Sequence, residues 1–178
     1  MDRTRYHLDT ARAAAEAEGL EVDFVQADAR EFARPEGFDL GVNLFTSFGY
    51  FEDPAEDRQV ARNLHDCLRP GGQLVMEMMG KEVLARIFQP RGWEEENGVL
   101  LLQERQVTQD WGWIENRWIA ICDGRTREYR VNHRVYSAVE LKHLLHDVGF
   151  VSARAYGSLA GELYDHTARR LVVVATRP

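Results

Sequence analysis

Residues 38–45 read FDLGVNLF and residues 73–79 read QLVMEMM. Each is an almost unbroken apolar run of strand length, which fits a strand buried on both faces rather than one with a wet side. Between them stands DPAEDRQVARNLHDCLRPGG. There Asp53 is placed to cap a helix, Pro54 to be its first residue, and Glu56 falls three positions after the cap, close to a capping box. Val60, Leu64 and Cys67/Leu68 recur on one helical face, and Pro70-Gly71-Gly72 stops the helix. Strand, helix and strand at short connections argue for βαβ units and a mostly parallel sheet.

The flanks continue that texture. Tyr6 to Glu18 is helical on propensity, with Thr4 as its cap and Gly19 as its stop. Leu20 to Asp28 then alternates as a short strand. Near the other end, Ser137 opens a helix whose Glu140 completes a capping box and whose Gly149 ends it. VSARAYGSL and RRLVVVATR (Arg169 to Arg177) read as the last two strands. The chain of 178 residues suits one domain, 1–178, with a real core.

A different pattern interrupts this one from Trp93 to Tyr136. Alternating strands hold Trp111, Trp113 and Trp118, and Asp123-Gly124 is a strong hairpin signal between WIAI and REYRVNHRVY. Residues 93–136 read as an inserted antiparallel layer of about three strands within that domain. KEVLARIF, just before it, reads as a short helix.

Composition narrows the function classes. Apolar residues make up 44 % of the chain, and the net charge is -7. That balance gives no support for a nucleic-acid surface, and no stretch approaches membrane-spanning length. The plain reading is a cytoplasmic protein with neither a membrane nor a nucleic-acid partner. Cys67 and Cys122 have no metal-ligand spacing, and the His143/His146 pair lacks further ligands, so no metal site is expected.

Three stretches, in this order and spacing, resemble the class I S-adenosylmethionine-dependent methyltransferases. FVQADAREF resembles the strand end and acidic turn that holds the adenine. FDLGVNLFTSFGYF resembles the central strand with the loop beneath the methyl donor. LRPGGQLVMEM resembles the helix end, glycine turn and next strand. The resemblance implies an α/β, three-layer Rossmann-like sheet with its cofactor at the carboxyl ends of the strands. It also implies a closing C-terminal antiparallel hairpin, whose last strand runs between its neighbours, and puts the 93–136 insertion on the substrate side. The implied cofactor is S-adenosyl-L-methionine and the implied partner a small-molecule substrate.

One family element has no counterpart in the sequence. No glycine-rich turn of G-x-G-x-G type stands before Gly19. The expectation is therefore an N-terminally truncated methyltransferase sheet lacking its first strand and helix, with Met1-Asp2 aligned to the end of the family's second strand. A sheet missing its middle leaves edges open. The chain is then expected to bind cofactor only if the missing part is supplied, for instance by a homodimer completing the sheet.

The resemblance assigns cofactor contacts to Asp2 (ribose), to Asp28 and Ala29 (adenine), and to Asn43, Leu44 and Phe45 (the methionine portion). Phe48 and Tyr50 are placed to line the methyl-transfer channel. Proton-accepting candidates are Glu77, His133 and Tyr136, since a base is needed only where the nucleophile must lose a proton. Each has an ordinary alternative: a strand-terminal turn for Asp28, core packing for the phenylalanines, a solvated β surface for the charged groups. The leading function is methyl transfer to a small molecule. The alternative is a non-catalytic methyltransferase-like binding or assembly protein. A dinucleotide-dependent oxidoreductase is weaker, since it too needs a glycine fingerprint.

Overall fold

The computed structural model describes residues 1–178. The two apolar runs form the heart of a four-stranded sheet. β1 (Phe38–Asn43) pairs in parallel with β2 (Leu68–Met78), and α2 (Pro54–Cys67) crosses between them. Asp53 caps α2 by accepting the Ala55 N–H at 2.9 Å, with Pro54 as the first helical residue. β2 begins five residues earlier than its apolar run, because Leu68 already pairs with Phe38 before the Pro70-Gly71 irregularity shifts the register.

The sheet is closed by β8 (Ser152–Tyr156) and β9 (Leu171–Thr176), in the order β1-β2-β9-β8. β9 lies antiparallel to both its neighbours, as the resemblance implies. α4 (Ala138–Asp147) precedes this hairpin. Its capping box is complete: Ser137 Oγ accepts the Glu140 N–H, and the Glu140 carboxylate accepts the Ser137 N–H. Helices α2 and α4 pack on the sheet and on each other, enclosing Val60, Leu68, Leu74, Met76, Leu141, Leu145 and Val173 in one core. Burying such side chains stabilises by about 1.5–3 kcal/mol each.

α3 (Lys81–Ile87) leads from β2 into the second sheet. This is built from β3 (Arg91–Glu96), β4 (Val99–Thr108), β5 (Trp113–Cys122) and β6 (Arg125–Arg130), all antiparallel, with β7 (His133–Arg134) pairing β5 beyond the end of β6. The sheet spans residues 91–134 and has more strands than its sequence pattern announces. Asp123-Gly124 forms the expected tight turn, both residues having positive φ, and Asn97-Gly98 forms another between β3 and β4.

Two expectations fail at the N-terminal end. Thr4 is the N-cap residue of α1 (Arg5–Ala17) but its side chain makes no capping bond, and its own N–H is held by Asp2 Oδ1. Leu20–Asp28 is not a strand; Gln26 alone makes one parallel bridge, to Asp2. A strand needs a neighbour along its length, and this segment has none: the outer edge of β1 is unpaired. Leu40 and Val42 are consequently more than half exposed.

Candidate active site

The loop leaving the carboxyl end of β1 runs Leu44-Phe45-Thr46-Ser47-Phe48-Gly49-Tyr50 and lies beside the carboxyl end of β2. Phe45 and Thr46 both take positive φ, 56° and 57°. For an aromatic and a β-branched residue this is costly, so something must hold it. Glu77, buried at the end of β2, does so. Its Oε2 accepts the Phe45 N–H at 2.7 Å, its backbone carbonyl accepts the Thr46 N–H at 3.1 Å, and its Oε1 accepts from Arg170 Nε. Arg170 also donates to Thr46 Oγ1 at 2.9 Å, and that oxygen accepts the Met79 N–H at 3.0 Å. Both oxygens of Glu77 are thus engaged in fastening the loop.

With the backbone fixed in this way, the Phe45 side chain is 85 % exposed over the strand ends. Leu44 is half-buried and its carbonyl accepts the Ser47 hydroxyl at 2.6 Å. Asn43, the last residue of β1, has a buried Oδ1 with no partner in the chain. Such an orphaned acceptor is unusual in a folded protein and fits an incoming N–H donor.

The far end of the loop is tied to the second sheet. Gly49 takes φ +98°, its carbonyl accepts the Arg134 N–H at 2.6 Å, and a Cβ there would lie 2.8 Å from the Arg134 oxygen. Only glycine fits. Tyr50 stacks on His133, ring centroids 5.3 Å apart. His133 is half-buried, its Nδ1 is buried without a partner, and burial lowers its pKa, so the ring is held neutral.

Tyr136 lies deeper. It is 8 % exposed and packs on Phe48, and its hydroxyl donates to Oδ2 of Asp57 at 2.8 Å. Arg134 Nε donates to the same oxygen at 3.1 Å. Asp57, on α2, is fully buried; burial raises its pKa against these two donors. Burial and the Asp57 charge push the Tyr136 phenol well above its usual range. This trio anchors β7 and the chain after it to α2.

On the other side, Asp28 accepts three hydrogen bonds from Arg30: from its backbone N–H at 2.9 Å, from Nε at 3.0 Å and from Nη2 at 2.7 Å. These bonds hold its carboxyl down at about 2. A carboxylate offers about four lone-pair sites, so one remains. Arg30 also pairs with Glu56 of α2 and lies over the Phe51 ring, 4.6 Å from its centroid. Asp28 is therefore joined to the end of the loop through one arginine, although Phe24–Asp28 and β1 share no common sheet. The Ala29 N–H donates to nothing in the chain, while its carbonyl accepts Asn63 Nδ2 at 2.8 Å. Asp2 sits at the bridge to Gln26, and its hydrogen bond from the Thr4 backbone lowers its pKa.

Asn43, Leu44 and Phe45 thus lie beside Glu77 at the carboxyl ends of β1 and β2, His133 and Tyr136 contact the loop's far end, and Asp28 is linked to Phe51 through Arg30. Sequence reasoning missed Thr46, Asp57, Arg30 and Arg170. Glu77 and Asp57 carried a usable signal: each is a carboxylate in an otherwise apolar buried face, which requires a cationic or hydroxyl partner. No group of three or more His, Cys, Asp or Glu side chains is arranged to hold a metal ion, and no helix is long and apolar enough to cross a membrane.

Residues 1–72 match a family model described as a methyltransferase domain. No curated protein matches the chain. Among solved structures, an S-adenosylmethionine-dependent methyltransferase from Clostridium acetobutylicum superposes with a TM-score of 0.82 at 14 % identity, covering 98 % of this chain and 72 % of that one. The CcbJ methyltransferase of Streptomyces caelestis gives 0.82 at 18 % identity, covering 98 % and 77 %. The sugar N-methyltransferase KedS8 from a Streptoalloteichus species gives 0.65 at 22 % identity, covering 93 % and 66 %.

Proposed function

We propose that the chain is a Rossmann-like, class I S-adenosylmethionine-dependent methyltransferase, a reading supported by the methyltransferase-domain match over residues 1–72 and by the likeness in fold. It transfers a methyl group to a small-molecule acceptor held between the Asn43–Tyr50 loop and the second sheet. The observation that carries this reading is the orphaned Asn43 Oδ1 beside the pinned Phe45-Thr46 turn, at the carboxyl ends of two parallel strands. S-adenosylmethionine, the family's cofactor, supplies a methyl group on a sulfonium, electrophilic without further activation.

The chain's own residues then have placement as their main task. Asn43 Oδ1 is an acceptor for an ammonium or amino N–H. Asp28 has one lone pair left for an adenine amino group, and the free Ala29 N–H suits a ring nitrogen. Asp2 offers its carboxylate to the ribose hydroxyls. Phe45, exposed above Glu77, excludes water from the reacting atoms. Where the acceptor must shed a proton, neutral His133 against Tyr50 takes it. Glu77 and Tyr136, whose polar atoms are already engaged, act by holding the loop and the second sheet.

The open edge of β1 bears on how the crevice is completed. A parallel strand set against that edge would lie between β1 and the Asp2–Gln26 bridge and cover the space beside Asn43. We assign that place to a strand from a second copy or from added polypeptide, and expect cofactor affinity to depend on it. The test is calorimetric titration with S-adenosylhomocysteine of the 178-residue chain and of a chimera carrying an N-terminal strand with a glycine-rich turn. Binding by the chimera alone supports both parts. Binding by the shorter chain as a monomer overturns the need for completion and keeps the methyl-transfer reading. No binding by either overturns that reading.

A further inference from the structure

The second sheet carries a cross-strand row that the methyl-transfer crevice does not use. Arg91 on β3, Glu104 on β4, Arg117 on β5 and Arg130 on β6 stand directly opposite one another in register. They line a cavity of about 400 Å³ whose ten lining residues include none that is hydrophobic. Four arginines and two glutamates face it, Arg105 and Glu115 being the others, within a chain whose net charge is -7. Glu128, at the side, offsets one of these positive charges.

Setting Arg117 directly across from Arg130 is unfavourable in itself. Glu104 accepts from Arg117 Nη1 at 2.9 Å, and Glu128 accepts from Arg117 Nη2 at 2.8 Å and pairs with Arg130 at 3.2 Å. These bonds immobilise the central guanidinium but leave its Nε buried without an acceptor. The outer two cations are much freer. Arg91 is only 3.8 Å from Glu104 in its closest approach, and the Arg91 and Arg130 side chains are 85 % and 73 % exposed.

Beside this row the cavity turns from charge to amides. Asn116 is buried and fixed: its N–H donates to Asn132 Oδ1 at 3.1 Å and its Nδ2 to the Val131 carbonyl at 2.6 Å. Glu115, which makes no ion pair, stands on the wall with Asn132. The same two residues line an adjoining hollow with Trp113 and Glu52. Glu52 directly follows Phe51, and His133 directly follows Asn132, so the groove leads from the arginine row towards the methyl-transfer loop.

We propose that this groove binds a polyhydroxylated small molecule carrying one phosphate or carboxylate group, with the anion against Arg91 and Arg130 and the hydroxyls against Glu115 and Asn132. Guanidinium forks match a planar or tetrahedral oxyanion, and charge-assisted bonds of that kind are the strong ones. Adjacent amide and carboxylate groups supply both donors and acceptors, which hydroxyls require. An apolar ligand finds no complementary surface there. The assignment rests on the methyl-transfer reading only in calling this ligand the acceptor substrate; its binding is independent of that reading.

The test is titration of the full chain at low ionic strength with glucose 6-phosphate, glucuronate, glucose and inorganic phosphate, followed by calorimetry. Saturable binding of either anionic sugar, about tenfold or more tighter than glucose or phosphate, is expected. The exposed double variant Arg91→Gln/Arg130→Gln should lose that advantage and retain its Tm. Which anionic sugar binds more tightly identifies the anion. Absence of saturation, an unchanged affinity in the double variant, or phosphate binding as tightly as the sugar phosphate would overturn the proposal. A chain that fails to bind S-adenosylhomocysteine can still pass this test, so the two readings fail separately.

Discussion

The Phe45 N–H donates to Glu77 Oε2 across 2.7 Å, fastening the loop that leaves β1 to a carboxylate buried at the end of β2. Arg170 brings the countercharge from the start of β9. Three segments far apart in sequence thereby fix one turn with two consecutive positive φ angles.

Glu77→Ala is expected to cost about 3–5 kcal/mol, the usual effect of removing one member of a buried pair. Glu77→Gln keeps an acceptor for Phe45 and should lose less. Urea midpoints measure both. If Gln abolished activity while leaving the midpoint unchanged, Glu77 would be a proton acceptor instead of a fastening.

Tyr136→Phe leaves Asp57 with Arg134 as its only side-chain donor inside the core. A loss of about 1–3 kcal/mol follows, read as a fall of several degrees in Tm. Wild-type stability in this variant would show that the hydroxyl does not anchor the second sheet.

The pH dependence has two contributions, both of which lower stability as pH falls. Asp28 has its pKa lowered from 3.8 to about 2 by Arg30. Its contribution is complete above the unfolded value and disappears as pH falls towards 2. Asp28→Asn should therefore flatten the acid limb of a stability-against-pH curve between about pH 4 and 2, and leave the curve near neutrality unchanged in slope.

His133 acts in the same direction from a different cause, burial instead of a bonded countercharge. Its folded pKa lies below 6.5 through burial, so the unfolded chain takes up the proton first and stability declines as pH drops below that value. His133→Gln should remove this decline. If the ring accepts the acceptor's proton, the same variant loses about 10²–10⁴-fold in rate while S-adenosylhomocysteine affinity holds. Titration of the ring by NMR checks the direction of the shift.

Leu40 and Val42 are exposed beside the unpaired edge of β1. Lysine at both positions is expected to suppress self-association, since edge lysines are a common guard against strand pairing. Light scattering across a concentration series measures it. An unchanged mass distribution would exclude this edge as the contact between copies.

Much of this architecture was legible because local rules and the global fold agree. The caps at Asp53 and Ser137, the stop at Gly149, the Asp123-Gly124 turn and the apolar runs of β1 and β2 each act over a few residues. Leu20–Asp28 misled because alternation specifies a strand only if a neighbour is there to pair. Within the site, Asn43–Phe45 and Asp28 stand out through the family resemblance, whereas the Arg30 side chain that bonds Asp28 does not. Glu77 meets Arg170, and Asp57 meets Arg134 and Tyr136, across long stretches of chain. The sequence reading takes Glu77 for a base or a solvated charge and passes over Asp57, because partners that distant leave no local pattern.

Glu56 and Asp57 are adjacent on α2, yet they face different walls: one steadies Arg30 and through it Asp28, the other steadies Arg134 and Tyr136. A single helical turn therefore sets the spacing between the Asp28–Arg30 turn and the return strand of the second sheet. A shift of that turn would move Arg30 on one side and Arg134 with Tyr136 on the other together.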